Sequence, residues 1–221
     1  MKIIVLNETI TASKDKDAEV LRGEMKKKGT LLINLMASPG AGKTTLLEST
    51  IELVKDEYKI GVMEADVDSD VDAIRVEMAG AKAIQVHTGG MCHMDAGMTR
   101  HGLEELNYEG LDVVFLENVG NLICPAEFDT GAGLKVMILS TPEGDDKPLK
   151  YPLMFSESDV LIISKMDVKN YFDFDIDKCI ERARKLNPNI IVFPVSAKTK
   201  EGLSDWIKWL KNSIKKWKER A

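Results

Sequence analysis

From about residue 31 onward, short apolar runs alternate with longer stretches of helical period. Leu31–Met36, Ile60–Glu64, Ala83–His87, Val113–Leu116, Lys135–Leu139, Val160–Ser164 and Ile190–Phe193 carry β-branched residues in most cases, and read as strands buried on both faces. Lys43–Val54, Val71–Met78, Asp95–Leu106, Ile176–Leu186 and Leu203–Lys218 read as helices between them. This alternation predicts crossover units: an α/β fold with a mostly parallel sheet and helices on both faces. Lys135–Leu139 comes soon after another strand, which leaves room for one antiparallel or edge strand. Residues 7–29 are polar and charged and end in Lys26-Lys27-Lys28-Gly29. They predict an N-terminal arm over 1–29, a helix packed loosely on a domain spanning 30–221. Ser140–Pro152 is the longest irregular stretch, and stretches of that length tend to be functional.

Between the first strand and the first of those helices lies Ala37-Ser38-Pro39-Gly40-Ala41-Gly42-Lys43-Thr44, followed by Thr45. Backbone N–H groups of such a turn and of the helix start can wrap a phosphate chain, which makes the predicted sheet P-loop NTPase-like. Lys43 would reach the β- and γ-phosphates, and the Thr44 hydroxyl would bind Mg²⁺. Ala37 replaces the usual first glycine, a small change at a strand end. A plain glycine-rich strand–helix turn does not need Gly-Lys-Thr at this spacing.

Two acidic clusters are candidates to complete the Mg²⁺ site. Glu117-Asn118-Val119-Gly120 ends a strand, where Glu117 would be the metal-associated carboxylate and Gly120 the γ-phosphate sensor. Glu64-Ala65-Asp66-Val67-Asp68-Ser69-Asp70-Val71-Asp72 follows the second strand. A solvated loop with helix-capping carboxylates accounts for Asp68 and Asp70, while Asp66 and Asp72 are the better Mg²⁺ candidates.

The predicted sixth strand ends in Ser164-Lys165-Met166-Asp167, with Ser where Asn is usual. The Asp167 carboxylate can accept both donors on guanine's Watson–Crick edge, whereas adenine would leave it facing an acceptor. Lys165 would lay its stem over the base. After the last strand comes Ser196-Ala197-Lys198, where the Ala197 N–H can bind the guanine oxygen. Ser-Lys-Met-Asp alone is equally an ordinary strand end; its order and spacing against the phosphate loop and Ser196–Lys198 select GTP.

Composition changes the picture in two ways. A net charge of −6 and the lack of a long apolar run argue against nucleic-acid and membrane partners. Residues 1–8 are too short in apolar character for an export signal, so the expected location is cytoplasmic. In that setting Cys92, Cys124 and Cys179 are thiols or metal ligands rather than a disulfide framework. Met91-Cys92-His93-Met94 and Asn121-Leu122-Ile123-Cys124-Pro125 together offer two thiolates and an imidazole, donors suited to Ni²⁺ or Zn²⁺ with one position left open. On spacing alone, small core cysteines and a helix-capping histidine are the better explanation of the same residues. Cys179, in a helix interior, reads as core.

The phosphate loop Ser38–Thr45, the block Cys92-His93-Met94-Asp95-Ala96, the block Glu117–Pro125 and Glu143-Gly144-Asp145-Asp146-Lys147-Pro148-Leu149-Lys150-Tyr151-Pro152 together resemble the HypB family. These are hydrogenase nickel-incorporation GTPases, related to urease accessory GTPases, and the resemblance covers roughly 30–215. It implies a GTP-dependent dimeric metallochaperone for [NiFe]-hydrogenase, with Cys92, His93 and Cys124 binding metal. It also implies a second nickel-accessory protein and the hydrogenase large subunit as partners, and Lys147 or Lys150 reaching a partner copy's nucleotide. Some members carry N-terminal Cys- or His-rich nickel tracts; residues 1–29 here hold neither residue type. Hydrolysis is expected to be slow: Asn121 follows Gly120, and Arg75 and Arg100 are the arginines to consider in cis. A signalling-type GTPase with structural Cys and His, and a small-molecule kinase, are the competing readings; the guanine loops disfavour the kinase.

Overall fold

Parallel strand pairing sets the architecture. The computed structural model describes the backbone of residues 6–66 and 71–220 and the side chains of 16–65 and 72–220. In chain order the main elements are α1 (Leu6–Lys27), β1 (Leu31–Ala37), α2 (Lys43–Val54), β2 (Ile60–Asp66), α3 (Val71–Ala79), β3 (Lys82–His87), α4 (Ala96–Leu106) and β4 (Val113–Glu117). There follow α5 (Cys124–Glu127), β5 (Leu134–Ser140), α6 (Lys147–Lys150), α7 (Pro152–Ser156), β6 (Val160–Ser164), α8 (Ile176–Leu186), β7 (Ile191–Pro194) and α9 (Leu203–Glu219). The sheet order is β3-β2-β4-β1-β5-β6-β7, and every pairing is parallel.

Alternate residues of each strand feed opposite faces. Leu31, Ile33, Leu35, Val62, Phe115, Ile138 and Ile162 pack under α2, α3 and α9. On the reverse face Leu32, Met63, Val114 and Leu116 meet α1 and α4, while Met137, Leu139, Leu161 and Ile163 meet α7 and α8. Strands buried on both sides need apolar residues at nearly every position, which is why they read as continuous runs.

Three expectations are corrected. The 134–140 strand is neither antiparallel nor at an edge: it lies between β1 and β6, parallel to both. Its brief separation from β4 in sequence is spanned by α5 and a turn rather than by a hairpin. The stretch 140–152 is not irregular: Thr141–Glu143, α6 and α7 are short helical turns, each with a proline at its first or second position. Proline is favoured there because that N–H has no helical partner to lose. The described part of α1 is not loosely packed. Ala18, Leu21 and Met25 are each at most 2% exposed, and Arg22 donates to the Ala132 carbonyl at 2.8 Å and to Asp129 at 2.5 Å. Arg100 of α4 pairs with Glu24 of α1.

Because Met25 is fully buried against the sheet, Met25→Ala should cost about 2–5 kcal/mol of unfolding free energy. The exposed neighbour Val20 should tolerate alanine within about 0.5 kcal/mol. Urea unfolding of both variants decides: equal, small losses would mean α1 adds little to the core.

Candidate functional site

Parallel strands all release their loops at one edge, so the phosphate loop after β1, the turn after β4 and the loops after β6 and β7 meet there. Gly42, at φ 98°, turns the chain into α2, and Gly40 is also left-handed at φ 74°; both conformations favour glycine. Thr44 Oγ1 donates to Glu117 Oε1 at 3.0 Å, and Lys43 Nζ lies 3.9 Å from the same oxygen. Gly120 faces the loop so closely that a Cβ there would sit 3.0–3.1 Å from Pro39. Gly40, Gly42, Lys43, Thr44, Thr45, Asp72, Glu117 and Gly120 line a cleft of about 610 Å³. The structure thus brings these phosphate-loop residues, Glu117 and Gly120 to one cleft. The side chain of Asp66 lies outside the described residues. Asp72 is at the cleft, held 3.0 Å from Arg75. Arg75 also forks onto Glu48 at 3.0 and 2.6 Å, and it lines the cleft, whereas Arg100 is tied to α1.

Glu64 was not singled out by sequence reasoning. It pairs in register with Glu117 on β4 and with Gln85 on β3, and all three side chains line the cleft. Burial, and next the adjacent Glu117 charge, push the Glu64 carboxyl up to about 10. Burial pushes Glu117 upward too, opposed by Lys43 and by the Thr44 hydroxyl. Glu64 Oε1, Glu117 Oε2 and both amide atoms of Gln85 are buried with no hydrogen-bond partner among the described residues. The available signal was the common register of Gln85, Glu64 and Glu117, which no local motif carries.

A second, mostly apolar cleft of about 230 Å³ adjoins the first through Gly42 and Thr45. Ala41, Lys165, Asp167, Ala197 and Lys198 line it. Ser164, at the place of the usual Asn, donates from Oγ to the Ala41 carbonyl at 2.7 Å and so ties this loop to the phosphate loop. Lys165 is left-handed (φ 59°), which brings its amine 2.6 Å from the Gly40 carbonyl. Ser196 Oγ donates to Asp167 Oδ1 at 2.7 Å, fixing the carboxylate. Lys150 does not line either cleft of its own chain; it pairs with Asp146 at 2.5 Å on the exposed side of α6.

Cys92, His93 and Cys124 bring their ligand atoms within 4.8 Å of one another. Cys92 Sγ and Cys124 Sγ lie 2.7 Å apart and share a hydrogen bond, and Cys92 Sγ lies 3.8 Å from His93 Nδ1. Sharing that hydrogen bond, and then burial, raise the Cys124 thiol above its ordinary range. Phe128 stacks on the His93 ring, centroids 3.7 Å apart and 12° from parallel, which restricts the imidazole plane. His93 does not cap a helix: Asp95 does, accepting from Met98 N at 3.0 Å. Asn118 joins this cluster to the nucleotide side. Fully buried, it donates from Nδ2 to Asn34, while its Oδ1 accepts from Val119 N at 2.9 Å and from Met94 N at 3.2 Å. Cys179 is buried away from this cluster, its thiol pushed up to about 12 by burial.

Residues 31–194 match the family model described as CobW/HypB/UreG, nucleotide-binding domain. The chain is 44% identical over 211 residues to the hydrogenase maturation factor HypB of Azotobacter chroococcum, covering 95% of this chain and 68% of that protein. The crystal structure of hydrogenase maturation factor HypB from Archaeoglobus fulgidus superposes with a TM-score of 0.85 at 37% identity, covering 92% of this chain and 99% of that one. HypB from Helicobacter pylori, solved in complex with nickel, gives a TM-score of 0.86 at 38% identity, covering 92% and 96%. No described helix is long and apolar enough to cross a membrane.

The exposures predict two classes of thiol. In native protein Cys92 and Cys124 should react with Ellman's reagent within minutes, and Cys179 only after denaturation. Three equally fast thiols would contradict the burial of Cys179.

Proposed function

The chain belongs to the CobW/HypB/UreG nucleotide-binding family, in its HypB branch, and from that premise we propose that it is a slow GTPase that loads nickel during [NiFe]-hydrogenase maturation. The observation that carries this reading is Asn118, whose amide touches both the phosphate-sensing turn and the backbone next to His93. Residues 30–221 form the nucleotide-responsive body in this reading, and residues 1–29 the N-terminal arm.

Lys43 holds the β- and γ-phosphates while the backbone of Gly40–Thr45 wraps the chain. Mg²⁺ fits the unpartnered Glu117 Oε2 beside the Thr44 hydroxyl, with Asp66 and Asp72 as further carboxylates; when bound it neutralises charge on the phosphate oxygens. Glu117 keeps the Thr44 hydroxyl aimed into the cleft, and Gly120 offers its N–H to the terminal phosphate. Asp167, oriented by Ser196, accepts guanine's two donors; Lys165 covers one face of the base, and Ala197 and Lys198 close the cleft. No arginine free of partners points into the cleft among the described residues, since Arg75 is held by Glu48 and Asp72. That fits slow turnover, well below the ~10 s⁻¹ median of enzymes.

Nickel is the cargo, and zinc can take the same donors. The nickel in the solved Helicobacter pylori relative supports reading Cys92, His93 and Cys124 as its ligands here. Three ligands from one chain leave a position open for transfer. GTP favours a homodimer in which Lys147 or Lys150 reaches the partner's nucleotide and two Cys–His–Cys sets approach each other. A second nickel-accessory protein and the hydrogenase large subunit are the further partners, met in the cytoplasm; nucleic acid is not among them.

Asp167→Asn should exchange an acceptor for a donor and move preference from GTP toward xanthosine triphosphate. Competition binding with both nucleotides reads this, and unchanged GTP affinity with no gain for the xanthosine form would remove Asp167 from the base site.

Coupling requires reciprocity: if GTP favours the metal-loaded dimer, metal must favour the GTP-bound dimer by the same factor. Sedimentation and Ni²⁺ or Zn²⁺ titration, with GDP and with a non-hydrolysable GTP analogue, should show more dimer and altered metal affinity with the analogue. Cys124→Ala should keep GTP binding and lose the metal response. Identical metal binding and association under both nucleotides would reduce the cluster to a passive site.

A further inference from the structure

The polar row at the floor of the phosphate cleft has no structural reason to exist. On β2 the residues sharing Glu64's face are Ile60 and Val62, and on β4 Glu117's are Val113 and Phe115, all in the core beneath α2 and α9. Continuing that pattern with Leu or Val would fill the same space without desolvating a carboxyl group. A buried carboxyl retained beside a second one costs stability unless something completes it. Within the described residues the pair has only the hydrogen bond that Glu64 and Glu117 share and the Thr44 hydroxyl on Glu117 Oε1, and the remaining atoms stay open. Glu64 is 3% exposed with Oε1 unpartnered, Glu117 is 6% exposed with Oε2 unpartnered, and the Gln85 amide has neither partner it needs. Buried polar groups in folded proteins are almost always satisfied, so four open atoms in one register row indicate a polar ligand between them. All three side chains border the cavity that Lys43 and Thr44 also line.

We propose that Glu64, with Gln85 beside it, is part of the divalent-cation site of the nucleotide cleft, where the two side chains would hold waters bound to the ion. Mg²⁺ keeps several waters when it binds through one or two carboxylates, and those waters need acceptors and donors fixed by the protein. The Glu64 carboxyl oxygen beside Glu117, and the Gln85 amide on the far side of Glu64, supply both kinds. Glu64 is therefore a positioning residue: it makes tight nucleotide binding depend on Mg²⁺ rather than touching the nucleotide itself. The reading rests on the cleft being a Mg²⁺–nucleotide site.

The test measures affinity for fluorescent GDP and a fluorescent GTP analogue across free Mg²⁺ concentrations and in EDTA, for wild type, Glu64→Gln and Gln85→Leu. Glu64→Gln should raise the Mg²⁺ concentration at half-effect by about 10- to 100-fold, as loss of an outer-shell partner of a metal does. Its affinity in EDTA should match wild type, because Glu64 does not touch the nucleotide and glutamine keeps its shape. Gln85→Leu, which leaves both carboxyl groups in place, should shift the midpoint in the same direction by less. If Glu64→Gln does not fold, which loss of binding in EDTA together with loss of the thermal transition would reveal, Gln85→Leu decides alone. A Mg²⁺ midpoint unchanged in the folded variants overturns the proposal. Wild type that binds no guanine nucleotide under any condition instead overturns the GTPase reading, a distinguishable result.

Discussion

β1 is hydrogen-bonded on both sides, to β4 and to β5, and the functional loops take their positions from that pairing. A parallel strand pair sends both chains out of the sheet at the same edge. The phosphate loop therefore leaves β1 beside the turn that leaves β4, and its far side meets the loop leaving β6. Two backbone hydrogen bonds prolong the β1–β4 contact beyond the strands: Asn118 N to the Leu35 carbonyl at 3.0 Å and Asn121 N to the Ala37 carbonyl at 2.9 Å. The turn Glu117–Gly120 is thereby laid against the start of the loop between β1 and α2, and Cys124 follows within a few residues.

That arrangement joins the two clusters through buried polar groups. Four residues from Gly120 to Cys124 span at most ~14 Å, and Asn118 clamps the other limb of the cluster through Met94. A shift in the turn moves one side of the Cys–His–Cys set through the chain and the other through a buried amide. An unsatisfied amide in that position would cost about 1–3 kcal/mol, so the two limbs move together or the bond is remade.

Much of this was legible in the residues. Gly40–Thr45, Ser164–Asp167, Ser196–Lys198 and the two halves of the cysteine cluster are short local signatures, in which adjacent positions do the chemistry and order survives reading. Glu64, Gln85 and Asn118 were not legible as site residues, because their roles arise from register across strands far apart in sequence. The middle position of β5 escaped for the same reason: short separation from β4 suggested a neighbouring or edge strand, while the crossover through β1 is a property of the whole sheet. The burial of α1 did leave a trace, with Ala18, Leu21 and Met25 at helical spacing, but the charged residues around them masked it. Prolines in 140–152 suggested loop, although the same residues start three short helices.

All three tryptophans of the chain lie on α9. Trp206 is buried, stacked on Trp209 at 5.6 Å, and its indole N–H donates to Thr50 Oγ1 at 3.0 Å. Thr50 sits on α2, the helix that grows directly out of the phosphate loop. The chain therefore carries its own optical gauge: any displacement of α2 as phosphates settle at its N-terminus changes the polarity and hydrogen bonding around a buried chromophore. A ligand in the cleft that displaces α2 is thereby readable in the protein's ultraviolet emission, in a dilute sample without a label.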